Sequence, residues 1–425
     1  MASFEHNFSY ERCPEQLKAV TCHLISSCSG DYREDPVIYQ RKVELPFNAK
    51  GSPENSFNSF NSFNSFNSFN SFGTAGSTVA AEALLTTRDG IVGAPLDLNP
   101  HITPGSPHDP RNLARLSADV RASLYLSELG SRVAFSDATD ETAIASLWRR
   151  DTGPAGRSPQ PDSILVQITA PTIDQFKEQM AYLTAYADLR GDRAAEILSQ
   201  TSAITPFLAS ISYMDPARTP FTLELMSAAL GFTNYCGMRL KYSISAKRPI
   251  EFSPQVQPII PTPTHGSLPS GHATEAFVTA RLLWKLLRAS NSEQYHQDGV
   301  WGEMFMRLAS RIATNRTVAG VHFPVDSAAG AILGLTLADY LHAVCDPEAN
   351  ELTSACFNGP AFNAAEDFDW HALYVARDDR QTKKAGKKRN PWATSDCHPT
   401  TPDMASPVLT WLWKKAQAEW QDFSI

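Results

Sequence analysis

Cysteine is scarce. The chain has 7 in 425 residues, an odd number with no Cys-x-x-Cys spacing. This supports neither a disulfide framework nor a tetrahedral zinc site, and the thiols are read as reduced or incidental. Charge is also thin, at 19% of residues, and its balance is acidic, with a formal net of −8. A nucleic-acid binder would show a basic face, so the composition argues against that class, and any positive pocket has to be local. Long apolar runs are missing too. The longest candidate, Val325–Val344, is interrupted by Asp326, Asp339 and His342. The opening Met1-Ala-Ser-Phe-Glu-His-Asn has neither the basic start nor the apolar run of a secretory signal. The chain is therefore expected to be soluble, cytoplasmic by default and without membrane contact; a homo-oligomer is left open.

What is present is a 42% hydrophobic fraction, enough for a sizeable core, and strong helical periodicity in the middle of the chain. Residues 1–100 are loop-rich and carry six copies of Asn-Ser-Phe over 55–72; a three-residue period keeps no face apolar on a helix, so this is read as low-complexity loop. Residues 101–350 are read as a helical catalytic domain. Its first part is partly helical, including Asp137–Trp148, and 153–161 is read as a linker. Helices follow over about 172–189, 193–200, 221–245, 272–289, 295–314 and 324–344. The proline-dense stretch Pro249–Pro269 has to be an extended loop. Residues 351–425 form an extension with a basic run, Lys383–Arg389, read as a solvated loop, and a Trp-rich helix over 406–423 that docks on the bundle. No strand alternation of comparable strength is seen, so the expected fold class is all-α, a helical bundle with long loops and its site at helix ends.

Three short pieces concentrate the chemistry. The first is Lys241-x6-Arg248-Pro249, two cations that share one side if the helix persists that far. The second is His265-Gly-Ser-Leu-Pro269-Ser270-Gly271-His272. Here Ser270 is a credible helix N-cap, Gly271 lets the backbone approach a ligand, and the free N–H groups suit an oxyanion. The third is Arg316-x5-His322-x3-Asp326, in which Asp326 can reach back to fix the His322 tautomer. Taken singly, each piece has a plain explanation: surface charges, a simple cap, a local Asp–His contact. Together they describe cations and imidazoles gathered around one anion.

The ordered set Lys-x6-Arg-Pro, Pro-Ser-Gly-His, Arg-x5-His-x3-Asp resembles the signature of the type 2 phosphatidic acid phosphatase (PAP2) superfamily, which includes bacterial acid phosphatases and vanadium-dependent haloperoxidases. The resemblance implies that Lys241, Arg248 and Arg316, assisted by Ser270 and Gly271, hold the oxygens of vanadate or phosphate. It implies that His322 supplies the axial nitrogen to vanadium, or in a phosphatase the phosphohistidine, and that His272 is the acid–base group. His265, seven residues before His272, resembles the bromide-oxidising haloperoxidases, whereas the fungal chloroperoxidase type has Phe there. One departure is Asn315, which stands where the family has Ser and puts a pocket-wall hydrogen bond in doubt.

The implied activity is a vanadium-dependent haloperoxidase that uses hydrogen peroxide to oxidise bromide or iodide to a hypohalous acid equivalent for a small organic acceptor. Vanadate would be the cofactor, with His272, His265, Asp326 and Lys241 as the catalytic set and Lys241 polarising peroxide toward halide. The alternative is a soluble acid phosphatase with phosphate in the same pocket. A phosphate-binding scaffold that uses the Asn-Ser-Phe repeat is the non-enzymatic third.

Overall fold

The structure is a computed structural model and describes residues 105–106, 108–139, 143–150, 163–296, 299–381, 392–401 and 404–421. The Asn-Ser-Phe repeat, the 153–161 linker and the basic run 383–389 lie outside the described residues. Contacts divide the chain into two units; every described residue falls in the second, which includes Val92–Ile425, and the first, Met1–Ser52 with Ala75–Ile91, lies outside them.

The described chain runs α1 (Ala118–Ser131), β1 (Val133–Ser136), β2 (Ile144–Arg149), β3 (Ser163–Thr169), α2 (Ile173–Ala187), α3 (Arg190–Ser202), α4 (Thr205–Ser212) and α5 (Pro220–Ile244). Then come α6 (Pro249–Phe252), α7 (Gly271–Ala289), α8 (Glu293–His296), α9 (Gly299–Val318), α10 (Pro324–Cys345), β4 (Glu351–Asn358), β5 (Tyr374–Val375), β6 (Arg380–Gln381), β7 (Ala393–Pro399) and α11 (Pro407–Ala418). Local chemistry starts these helices where it should. Thr172 and Gln175 exchange hydrogen bonds of 3.2 and 2.8 Å in a capping box before α2. Pro220 and Pro324 occupy the first turns of α5 and α10, where a missing N–H costs nothing.

α10 is the central element. By length and a mean hydropathy of 1.4 it could cross a membrane, but 94% of that window is buried within the protein, as befits a helix surrounded by α5, α7, α9, α11 and the sheet. Its closest neighbour is α7, and the reason is two glycines one turn apart. A Cβ at Gly330 would stand 2.6 Å from the Ser270 carbonyl oxygen, and one at Gly334 2.5 Å from that of Thr274. The backbones can meet only because those side chains are missing. This contact holds the start of α7 beside the start of α10, and the Ser270 N–H donates to the Asp326 carbonyl at 2.9 Å.

The expectation of an all-α fold is wrong. Beside the helices lies a five-stranded sheet in the order β1-β2-β3-β4-β7, with β3 and β4 parallel and the other pairs antiparallel, and β5 pairs with β6 in a second sheet. The larger sheet packs on α10 and α5. Two physical reasons hid it. In β2 the residues Ala145, Ser146 and Leu147 are all buried, so the period-two signal is missing and Asp137–Trp148 read as helix. The β3–β4 pairing joins Val166 to Ala355 across nearly half of the chain and leaves no local mark. The Trp-rich tail does form α11, whose Leu409, Leu412, Trp413 and Ala416 are buried against the bundle.

Candidate active site

The end of α5 fixes the first two cations. The helix stops at Ile244 with Ser245 in the left-handed region, so Arg248 does not lie on the same helix as Lys241; it follows in extended backbone, as a residue before proline prefers. Both side chains are nonetheless buried. The Lys241 ammonium donates to the carbonyls of Gly266 at 3.0 Å and Ser267 at 2.9 Å, which ties the loop that carries the second piece to the end of α5. Arg248 donates to the carbonyls of His265 (3.1 Å) and Val321 (2.9 Å), to His265 Nδ1 (3.0 Å) and to His322 Nε2 (3.0 Å).

The guanidinium can only donate, so it assigns the His322 tautomer. His265 Nδ1 lies between an Arg248 donor and the Gly266 carbonyl, an acceptor 3.1 Å away, and these two contacts pull its proton in opposite directions. His322 accepts at Nε2, and its Nδ1–H then donates to Asp326 Oδ2 at 3.0 Å. Asp326 also accepts the Phe323 N–H at 3.0 Å and the Ser267 hydroxyl at 3.4 Å, so one carboxylate both caps α10 and orients the imidazole. Burial raises the Asp326 carboxyl to about 6, against the lowering pull of the Phe323 N–H and of Lys241. It is still ionised at neutral pH and accepts from every partner.

Ser270 is the N-cap of α7, accepting the Ala273 N–H at 3.4 Å. His272 follows, and its Nε2 lies 3.2 Å from the Gln200 carbonyl. A carbonyl only accepts, so Nε2 carries the proton and Nδ1 keeps the lone pair. Burial, then Arg316, holds His272 well below the ordinary imidazole value; burial, then Arg248, does the same for His322. Burial with Lys241 and Arg248 brings His265 down to about 4. All three imidazoles are therefore neutral at pH 7.

Arg316 is 1% exposed. Its Nη2 donates to Gln200 Oε1 at 2.7 Å and the Ile197 carbonyl at 3.3 Å, while Nε and Nη1 are buried without a partner. A turn after α9 carries the chain from Arg316 to His322, and Gly320 in it has φ +83°. A Cβ there would stand 2.7 Å from Arg190 Nη2. Arg190 in turn donates to the carbonyls of Val318, Gln257 and Val256, locking this turn to the proline-rich loop.

These groups surround a cavity of about 340 Å³ whose lining includes Arg248, His265, Gly271, His272, Arg316 and His322. Lys241 stands just behind Gly271, where a Cβ would lie 3.9 Å from its Cε. Burial lowers Arg248 and Arg316 to about 10 and pulls Lys241 down as well, so three cations sit together at a cost that a bound anion would offset. A tetrahedral oxyanion fits the residues present. Arg316 offers two partnerless nitrogens, Nε and Nη1, the missing side chain at Gly271 leaves a space that a Cβ would fill, and His322 lines the cavity with Nδ1 oriented by Asp326 and Nε2 beside the Arg248 guanidinium. Among the described residues no group of three or more His, Cys, Asp or Glu side chains forms a metal-holding cluster.

All nine residues singled out from the sequence thus meet at this cavity or in the shell directly behind it. Others were not foreseen. Gln200 contacts Arg316, Asn315 and, through its carbonyl, His272; nothing in the sequence around the end of α3 marks it. Asn315, in place of the usual Ser, donates to Glu196 at 2.9 Å and Gln200 at 3.1 Å and accepts from Arg193 at 3.1 Å, so it braces the wall rather than the anion. Glu275 also lines the cavity; it lies four residues after Gly271, and helical spacing could have found it.

No curated protein matches the chain. Residues 223–346, which run from α5 through α10 and contain all three pieces of the site, match the family model of the PAP2 superfamily and constitute a PAP2 superfamily domain.

Proposed function

We propose that the chain is a vanadate-dependent haloperoxidase that oxidises bromide or iodide with hydrogen peroxide. The balance is H2O2 + X⁻ + H⁺ giving HOX + H2O, with HOX passing its halogen to a small organic acceptor. Vanadate, when bound, supplies a Lewis acid that activates peroxide without changing oxidation state. Arg248, Arg316 and the Lys241 ammonium would hold its oxygens with the backbone at Ser270 and Gly271, because two forked guanidiniums and a point charge match a compact oxyanion. His322 Nε2 would be the nitrogen that holds the cofactor, kept basic by Asp326 behind Nδ1. His272 accepts a proton from hydrogen peroxide at Nδ1, since its other nitrogen is held by the Gln200 carbonyl. Lys241 has one N–H beyond the two given to carbonyls, which would draw electron density from the peroxide.

The observation that favours this reading over other chemistries of the same pocket is His265. It is in the cavity wall, 3.0 Å from Arg248, and not in solvent, at the position where bromide-oxidising relatives resemble this chain. The second reading, a phosphomonoesterase, draws on His322. A neutral imidazole with its proton fixed toward Asp326 keeps its lone pair on Nε2, which would attack phosphorus once a bound phosphate draws the Arg248 Nη1–H onto its own oxygen, with phosphate as the ligand. Bromination with vanadate and peroxide, run beside hydrolysis of an aryl phosphate by vanadate-free protein, separates them. Halogenation of the acceptor without ester turnover supports the proposal; ester turnover without halogenation overturns it.

A further inference from the structure

Part of the cavity's lining is not used by the oxyanion chemistry. The lining holds two cations at most 2% exposed, Arg248 and Arg316, but also apolar side chains, Leu198 near the end of α3, 53% exposed, Met238 on α5, and Ile260, Pro261 and Pro263 of the loop, with Thr201, Thr262 and Thr264 among them. Leu198 and Met238 belong to neither of the protein's hydrophobic clusters. Their apolar surface faces the cavity without being consumed by packing.

The loop wall is stiff. Prolines at 254, 258, 261 and 263 restrict its backbone, Arg190 clamps it through the carbonyls of Val256 and Gln257, and Ile259 N–H donates to the Ala319 carbonyl at 3.1 Å. A preorganised wall loses little entropy when a ligand lies against it. The cavity, at about 340 Å³, reaches the range of about 300–1,000 Å³ typical of small-molecule sites, which are mostly apolar with a few convergent polar groups. A bare oxyanion, peroxide and halide would have no use for Leu198 or Met238.

Resting on the anion-site reading above, we infer that this apolar part of the lining binds the organic substrate itself: a molecule with an apolar body, aromatic or branched aliphatic, lodged against Leu198, Met238 and Pro261 while its reacting end faces the two cations. The acceptor is then chosen by this chain and is not met at random by a released oxidant.

Calorimetric titration tests this with two ligands that share one anionic head, inorganic phosphate and phenylphosphonate, on vanadate-free protein and on the double variant Leu198→Asn with Met238→Gln. Phenylphosphonate is expected to bind the parent about tenfold more tightly than phosphate, the contribution of partial burial of one ring. In the variant that advantage falls to about twofold or less while phosphate affinity is kept; thermal melting confirms that the variant is folded. Equal affinity of the two ligands for the parent, or an undiminished advantage in the variant, overturns the organic subsite and leaves the anion site standing. Failure of both ligands to bind overturns the anion site and this inference with it.

Discussion

Replacing Asp326 by Asn removes a charge and almost no volume. The side chain is completely buried. Its Oδ2 accepts from His322 Nδ1 and Phe323 N, each at 3.0 Å, and its Oδ1 from the Ser267 hydroxyl at 3.4 Å. An amide can keep its oxygen at the first position and turn its NH2 to Ser267, whose hydroxyl can rotate to accept. The hydrogen bonds survive, and what is lost is the negative charge that Lys241 and Arg248 feel. Breaking a buried charge set by removing one partner costs about 3–5 kcal/mol; with shape and hydrogen bonds kept, the lower end applies, about 3 kcal/mol. A ligand that supplies the missing charge should return much of it, about 2.7 kcal/mol at a hundredfold excess over Kd. The second consequence is at His322, whose Nε2 becomes less basic; loss of such an orienting partner costs about 10–100-fold in affinity or activity. Thermal melts of parent and variant, with and without orthovanadate, and a vanadate titration of each give both numbers. A variant as stable as the parent without ligand, binding vanadate equally well, would refute the role assigned to Asp326.

Other consequences are as direct. Arg316→Met keeps the buried stem but removes the two partnerless nitrogens; at about 1.5–3 kcal/mol for hydrogen bonds to a charged group, phosphate affinity should fall at least about tenfold in calorimetry. Gly330→Ala would drive a methyl into the Ser270 carbonyl at 2.6 Å, and overpacking of about 1–3 kcal/mol should appear as a lower melting temperature even without ligand. His265 is held down to about 4 in the folded protein, against about 6.5 when unfolded. Between those values the unfolded chain binds the proton that the folded chain refuses, so this group's contribution is lost as pH falls from about 6.5 toward 4. Asp326, raised to about 6, acts in the opposite sense below that value, while His272 and His322 act with His265. Melting temperature should therefore drop between pH 7 and 5, and less steeply in His265→Gln; an identical slope in that variant would contradict the assignment.

The site was legible in the sequence because its pieces are local. A proline after Arg248, a serine cap at Ser270 and an Asp four residues beyond His322 each dictate the backbone immediately around them, and the structure brings these short geometries together. What holds the pieces together was not legible. Gln200 and Arg190 lie outside residues 223–346, in helices whose periodicity shows only which face is apolar, and the contact of α7 with α10 depends on two glycines that read simply as poor helix formers. The sheet was missed for a related reason: β4, with Thr353, Ser354, Ala355 and Cys356, has little β-branched or aromatic content, and its parallel partner β3 is far away in the chain. Non-local pairing leaves a weak trace in any window of residues.

Vanadate titration of the parent protein beside Arg316→Met and His322→Ala tests the central claim most directly. One equivalent of orthovanadate should bind the parent, with binding much weakened in both variants while each remains folded. Equal binding in all three proteins, or none in the parent, would contradict an oxyanion held between these side chains.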